Sequence, residues 1–464
     1  MSERLSALDV SFLYLESPTT AMHVGEVAIF RPAEGSDAND QYDALRRLVG
    51  ARISMVPRYR QKVRFVPGRI ANPVWVDDEA FDLSYHVRRS ALPRPGTLDQ
   101  LRELVGRVQS RHLDRSRPLW ELYVVEGLED GRFAILTKTH HAMVDGADVL
   151  DIGSLILDPL PQPRETPTDG WLPEREPSSV GLVVDAVADT LRRPTQLLET
   201  VRAGVTDARA VTTRTFGAAA TVLSAARSSL RPAPPSPLNA VVGEQRRFGM
   251  AATDLEDYRR VRAAHGGTVN DVVLAVVTGA LRIWLLTRGE SVTPAAAVRA
   301  MVPVSVQDGV GARGSRVTSY FVDLPVGEPS PVVRLHQVSY AMKAHKESGH
   351  AVGAPALVAL SGFAPPTIHS AAARLASGLT SRLFNVVVTN VPGPQYPLFA
   401  AGAQMLETYP VDPLGRGQAV SVGLTSYDGA VYFGLNADRD AMPDVEVLAQ
   451  CLEESLAELV ETVR

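Results

Sequence analysis

The run Arg132-Phe-Ala-Ile-Leu-Thr-Lys-Thr-His140-His141-Ala-Met-Val-Asp145-Gly146 decides how this chain is read. Residues 132 to 141 alternate as a β-strand does, with Phe133, Ile135, Thr137, Thr139 and His141 on one side. Adjacent strand side chains point to opposite faces, so His140 and His141 cannot share a task. One is expected to enter a cavity while the other packs behind it. Asp145-Gly146 reads as a tight turn, with Asp145 near the N-terminus of a helix over residues 147 to 157. Each feature also has a plain explanation. A buried histidine is usually a hydrogen-bonded core residue, and an Asp at a helix start is usually a cap. No metal is expected, because neighbouring strand histidines diverge and the chain has no HExxH, no CxxC and no second cysteine.

Bulk properties narrow the setting. A chain of 464 residues exceeds one ordinary core, so two domains are expected. Hydrophobic residues at 45% and charged residues at 21% describe a globular composition. A net charge of -5 gives no general case for nucleic acid as a partner. The single cysteine, Cys451, excludes an internal disulfide, fits a reducing compartment, and lies in a helical stretch where a small buried apolar role is expected. Glu3, Arg4 and Asp9 precede any apolar run, which argues against a signal peptide. The longest apolar segment, VVLAVVTGALRIWLL, is interrupted by Thr278 and Arg282. The expectation is therefore a cytoplasmic protein, or one attached to a membrane surface without spanning it.

Along the chain, residues 1 to 178 mix strand signals (HVGEVAIF, WELYVVEGL, RFAILTKTHH) with helical ones (QYDALRRLVGARI, LDQLRELVGRVQSRHL). Glu129-Asp130-Gly131 reads as the hairpin turn between the last two strands. Proline clusters bound a helical linker over residues 179 to 238. Within it Arg192, Arg193, Arg202, Arg209, Arg214, Arg227 and Arg231 outnumber Asp185, Asp189, Glu199 and Asp207. Such a basic, partly apolar segment is suited to an anionic lipid surface, and equally to a solvated connection. Residues 239 to 464 form a second α/β unit. Its helix carries Val273, Leu274, Val277, Leu281, Trp284 and Leu285 on one stripe, and its strand candidates are AVRAMVPVSV, RVTSYFVDL, FNVVVTNV, QAVSVGLTSY and AVYFGLNA. Gly309-Val-Gly311-Ala-Arg-Gly314 matches GxGxxG, but a strand follows it where a dinucleotide site needs a helix.

HHxxxDG, at residues 140 to 146, resembles the active-site motif of CoA-dependent acyltransferases. Its companions are Arg117-Pro118-Leu119-Trp120, Thr268-Val269-Asn270-Asp271-Val272 and Thr389-Asn390-Val391-Pro392-Gly393-Pro394. The blocks SALDVSFLYLE, MHVGEVAIF, PRYRQKV through FDLSYHV, LPRPG, VPVSV and SYDGAVYFGLNAD fall in the same family order. Together they resemble the bacterial wax ester synthase/diacylglycerol acyltransferase family over nearly the whole chain.

That resemblance implies an α/β fold of two chloramphenicol-acetyltransferase-like halves with a substrate tunnel at their interface. It implies a long-chain acyl-CoA:alcohol O-acyltransferase, with acyl-CoA as a substrate, diacylglycerol or a long-chain alcohol as acceptor, and no cofactor. A membrane or lipid-droplet surface is a further expected partner. Acyl transfer needs a base for the hydroxyl proton and donors for the oxyanion. The resemblance gives His141 the first role and Asp145 an orienting one through an arginine that the sequence does not specify. His140 is expected to support from the opposite face, and Gly146 to supply a turn. Thr268 and Asp271 fit a capping box, while Asn270 is a candidate oxyanion donor or a structural residue. Pro118, Leu119 and Trp120 anchor the hairpin and, by resemblance, line the tunnel. Asn390, Pro392 and Gly393 read as a rigid turn after a buried strand, shaping the tunnel. No GxSxG elbow occurs, which fits direct attack without an acyl-enzyme. No GxxxxGK occurs either, so scattered basic residues must hold the CoA phosphates. The alternatives are a condensation-type enzyme fed by a carrier protein, and a lipid-binding surface protein without turnover.

Overall fold

Apolar runs of the chain assemble into two six-stranded sheets. A computed structural model describes residues 3–33, 35–36, 38–144, 151–166, 170–192, 232–307, 315–348 and 383–463. In the N-terminal half the strands are β1 (His23–Arg31), β2 (Gln61–Arg64), β3 (Val74–Asp77), β4 (Val87–Ala91), β5 (Trp120–Glu126) and β6 (Phe133–His140). Its helices are α1 (Ala7–Leu15), α2 (Ala38–Arg52), α3 (Leu83–His86), α4 (Leu98–Gln109), α5 (His141–Val144), α6 (Ile152–Ile156) and α7 (Ser179–Arg192). The C-terminal half supplies β7 (Arg246–Asp254), β8 (Val298–Gln307), β9 (Ser315–Leu324), β10 (Val386–Pro392), β11 (Phe399–Ala400), β12 (Ala403–Val411), β13 (Val420–Tyr427) and β14 (Ala430–Asp438). With them come α8 (Leu255–His265), α9 (Val269–Thr287), α10 (Pro331–Ser348) and α11 (Val445–Glu461).

One sheet runs β11-β12-β1-β6-β5-β4 and the other β7-β14-β13-β10-β8-β9, while β2 and β3 form a separate hairpin. The expected split of the chain at residue 239 therefore does not divide the sheets. Strand β12 crosses back and pairs antiparallel with β1, from Gly25 opposite Val411 to Arg31 opposite Gln404. Two large cores and one small one result among the described residues, and the N-terminal large core includes Met405, Tyr409, Val411, Tyr427 and Tyr432 from the distant half.

The halves also meet where α4 crosses β7. A β-carbon on Gly106 would lie 2.7 Å from the Arg246 carbonyl oxygen, so only glycine permits this approach. Arg246 N–H donates to Ser110 Oγ at 2.8 Å, and its guanidinium donates to Thr19 O at 2.6 Å.

Local signals explain the helix starts. Capping boxes open α1 (Ser6, Asp9), α4 (Thr97, Gln100) and α9 (Thr268, Asp271), each satisfying otherwise unpaired backbone N–H groups. Helix α9 is long and apolar enough to cross a membrane, but most of it is buried in the C-terminal core beneath α11. Cys451 on α11 is buried there, and burial pushes its thiol up to about 11, as expected of a small packing residue. Asp130 and Gly131 take positive φ in the β5–β6 turn, as a tight hairpin requires. The GxGxxG loop lies outside the described residues, and strand β9 follows it. The linker reading is likewise described only for α7 and the segments flanking 193–231.

Candidate active site

Strand β6 is buried at every position, not on alternate ones. On one face Lys138 Nζ donates to the carbonyls of Val108, in the last turn of α4 (2.9 Å), and of Arg111 just beyond its end. A cation at a helix C-terminus is favoured by the helix dipole, which offsets part of its burial. Burial still brings Lys138 down to about 8. The other face of β6, with Ile135 and Thr137, closes a small cavity together with Glu26, Gly153 and Ile156. Burial of Glu26 pushes its carboxyl up to about 7, although Thr408 donates to it.

The strand ends at His140. His141 is the first residue of α5 and not a strand residue, which corrects the alternation expected from sequence. The divergence of the two imidazoles survives because the chain turns between them. His141 N–H donates to Met22 O at 2.8 Å, which pins its backbone to the residue before β1. Its ring stacks on Phe12 with centroids 4.1 Å apart. Burial, and secondarily the neighbouring His140, brings this imidazole down to about 4, so it is neutral at pH 7. Its Nδ1 is enclosed with no partner among the described residues.

His140 turns the other way. Its Nδ1 accepts from the Ala142 N–H at 3.1 Å, which leaves the proton on Nε2. That Nε2 faces Glu16 Oε2 at 3.7 Å. In the β1–β6 register His23 lies directly opposite His140, and it too approaches Glu16, at 3.3 Å. His112 Nδ1 contacts Glu16 Oε1 at 3.1 Å, and Arg115 Nε donates to Oε2 at 3.0 Å. Burial alone would raise Glu16, but the imidazoles of His112, His140 and His23 outweigh it and hold the carboxylate well below the usual range. Sequence reasoning missed this set. Its members sit at 16, 23, 112, 115 and 140, and only the sheet register and the α4–β5 connection unite them. The blocks SALDVSFLYLE and MHVGEVAIF carried the signal without a role.

In the C-terminal half two separately noted motifs meet. Asn390 Nδ2 donates to Asn270 Oδ1 at 2.9 Å. Asn270 is the second residue of α9, where backbone N–H groups lack intrahelical acceptors. With its Oδ1 occupied by Asn390, the Asn270 amide presents its NH2 as the free donor. Strand alternation sends the preceding Thr389 the other way, where its hydroxyl donates to the Asp412 carboxylate. Strand β10 pairs with β8 only at Val386 and Val387, so Asn390 has no register partner on β8. The Asn390-Val-Pro392 segment is thus the end of β10 and not the expected turn. The strand persists because β13 pairs with it as far as Pro392 opposite Ser426. The chain leaves at Gly393, where a β-carbon would collide with the Ser426 carbonyl.

Pro118, Leu119 and Trp120 are buried. Leu119 O accepts from His140 N–H at 2.9 Å, and Trp120 Nε1 donates to Tyr59 O at 2.8 Å while stacking on His86. These are the contacts of an anchor for the histidine strand. Asp145 and Gly146 lie outside the described residues. The helix expected over 147 to 157 is described only as α6, capped by the Asp151 side chain on Gly153 N–H at 3.1 Å.

Two mixed sheets, the first completed by β11 and β12 of the C-terminal half, make up a fold of the chloramphenicol acetyltransferase type. The model of the wax ester synthase/diacylglycerol acyltransferase catalytic domain matches residues 5–273, and that of the WS/DGAT C-terminal domain matches residues 313–460. A probable diacylglycerol O-acyltransferase of Mycobacterium tuberculosis, tgs3, is 46% identical over 266 residues, covering 57% of this chain and 97% of that protein. The solved wax ester synthase/diacylglycerol acyltransferase from Marinobacter aquaeolei VT8 is 30% identical, with a TM-score of 0.71 over 99% of both chains. A starter condensation domain of rhizomide synthetase shares the fold alone, at 14% identity and a TM-score of 0.52, covering 100% of this chain and 94% of that one. The chain belongs to the wax ester synthase/diacylglycerol acyltransferase family.

Proposed function

We propose that the chain transfers a long-chain acyl group from acyl-CoA to the free hydroxyl of diacylglycerol, giving triacylglycerol, and makes wax ester when a fatty alcohol takes that place. The observation that carries this reading is His141, a neutral imidazole at the end of β6 held against Phe12. Its lone pair takes the hydroxyl proton as the alcohol oxygen bonds to the thioester carbonyl carbon. The carbonyl electrons move onto oxygen, and the Asn270 NH2 donates to that oxyanion. Collapse breaks the carbon–sulfur bond, and the leaving CoA sulfur takes the proton back from His141. Asp145, outside the described residues, is assigned the orienting role that the family resemblance implies.

Helix α7 supports a membrane-surface location. Leu182 and Ala186 pack on Val66, Val74 and Val76, while Val180 and Val184 remain exposed on the same helix. An exposed apolar edge beside a basic segment is suited to the interface of an anionic bilayer, and to the cytoplasmic face of a membrane or lipid droplet.

One experiment addresses substrate and surface together. Palmitoyl-CoA is supplied with diacylglycerol or hexadecanol in anionic vesicles, and CoA release, lipid product and vesicle flotation are followed. Triacylglycerol formation and co-flotation are expected. Turnover only with a carrier-bound acyl group would replace this reading with the condensation type. No CoA release with any alcohol would replace it with a lipid-binding protein.

Asn270→Ala should lower kcat by about 10²–10³ if its amide meets the oxyanion, with KM little changed. Asn390→Ala should give a smaller loss, because it frees the Asn270 amide to rotate. An unchanged kcat in Asn270→Ala would return this residue to helix capping.

A further inference from the structure

We infer that Glu16, His23 and His112 form a binding site for one zinc-like divalent cation beneath His140. The three donor atoms converge from the end of α1, the start of β1 and the α4–β5 connection, all within 4.8 Å of one another. Glu16 Oε1 lies 3.3 Å from His23 Nε2 and 3.1 Å from His112 Nδ1. Zinc bonds to nitrogen and oxygen at about 2.0–2.2 Å in tetrahedral geometry put neighbouring donors at about these separations. Two imidazoles and a carboxylate also match the ligand types that zinc favours, with a fourth position left for water.

Two further observations point to an ion. The first is His23, only 2% exposed, whose Nδ1 is enclosed without a hydrogen-bond partner and whose Nε2 faces only the Glu16 carboxylate, too poorly aligned for a good hydrogen bond. A buried imidazole in this state costs free energy, and a cation on Nε2 relieves part of it. The second is the outer contacts. His112 Nε2 reaches the Pro18 carbonyl at 3.2 Å, the arrangement that turns the opposite nitrogen of a ligating histidine toward its metal. Arg115 grips Glu16 through Oε2 and itself donates to Leu13 O at 2.8 Å, so Oε1 is left facing the imidazoles. Without an ion, His112 faces an acceptor at each nitrogen and needs a proton on both. The cation takes the place of the Nδ1 proton, which is released on binding. Arg115 and the nearby Lys138 oppose added positive charge, and the site serves only if its donors outweigh them.

The site would tie α1 and the α4–β5 connection to the strand that carries His140, and no acyl-transfer step passes through it. The test uses the full chain without a histidine tag, stripped with a chelator and dialysed. Calorimetric titration with zinc should show one equivalent bound below about 1 μM, with a melting temperature that rises with zinc concentration. Cobalt(II) in its place should give the visible bands of a tetrahedral nitrogen–oxygen site. His112→Ala, at a partly exposed position, should fold and lose at least about 100-fold in zinc affinity, beyond the 10–100-fold typical of outer-shell losses. His23→Gln should lose binding likewise. Absence of zinc uptake by the wild type, or wild-type affinity in His112→Ala, would overturn the site and leave a cage held by protonated His112.

Discussion

His141→Ala should lose turnover by about 10²–10⁴-fold while its far-UV spectrum and melting temperature stay close to wild type. The ring is half-buried, and its packing rests mainly on the stacked Phe12, while the backbone bond to Met22 O does not depend on the side chain. Removal therefore affects chemistry more than folding. The same residue fixes a pH dependence. Its imidazole lies near 4, below the usual 6.5, so the basic form is populated throughout the neutral range. The profile of kcat/KM should stay flat from pH 7 to about 5 and fall tenfold per unit below about 4. Folding responds over a neighbouring window. His23, His86 and His141 are lowered by burial to about 3, 4 and 4, so the unfolded chain binds protons that the native one refuses. Their contribution is complete above about 6.5 and is lost as pH falls toward those native values. Short assays after a pH jump, checked by tryptophan fluorescence, separate the two effects. An acid limb near 6.5 in still-folded protein would remove His141 as the base, as would substantial activity in a folded His141→Ala.

Much of the fold was legible because its signals are local. The capping box at Thr268, the Asp130-Gly131 turn and the apolar stripe of α9 need only nearby residues to be read. The site was legible as far as its residues form short motifs. HHxxxDG and the two asparagine motifs each stand in sequence, but the contact between Asn270 and Asn390 spans 120 residues and joins a helix start to a strand end. Periodicity misplaced His141 because alternation says nothing about where a strand stops. Lys138, His140 and Glu16 show the larger gap. A polar group buried in a strand looks like an exposed one until its partner, brought by register from another segment, is known. The return of β12 to the first sheet was hidden for the same reason, since strand signals carry no address.

Asp158→Asn should destabilise the native state by about 3–5 kcal/mol, read from urea unfolding with an unchanged m-value. Asp158 follows the motif loop and α6, and it meets the fully buried Arg52 of α2 with almost no exposure on either side chain. Arg52 also donates to Leu155 O at 3.0 Å, while Asp158 exchanges backbone hydrogen bonds of 2.8 Å with Phe399 of β11. One residue thus fastens the segment returning from the histidine loop to α2 and to the strand lent by the other half. Asparagine keeps the shape but removes the counter-charge, and a guanidinium left alone out of water is far costlier than a broken pair at the surface. Arg164, whose Nε lies 2.6 Å from Asp158 Oδ1, also loses its partner, but it is exposed and water solvates it at little cost. The double replacement Arg52→Met with Asp158→Leu should recover much of the stability, because apolar packing can substitute for a buried pair. Its activity then distinguishes two uses of the clamp. Restored stability with kcat still reduced means that the pair holds the histidine loop in register, whereas recovery of both means that it serves folding alone. A loss below about 1 kcal/mol in Asp158→Asn would place the pair among surface-like interactions and contradict the burial argument.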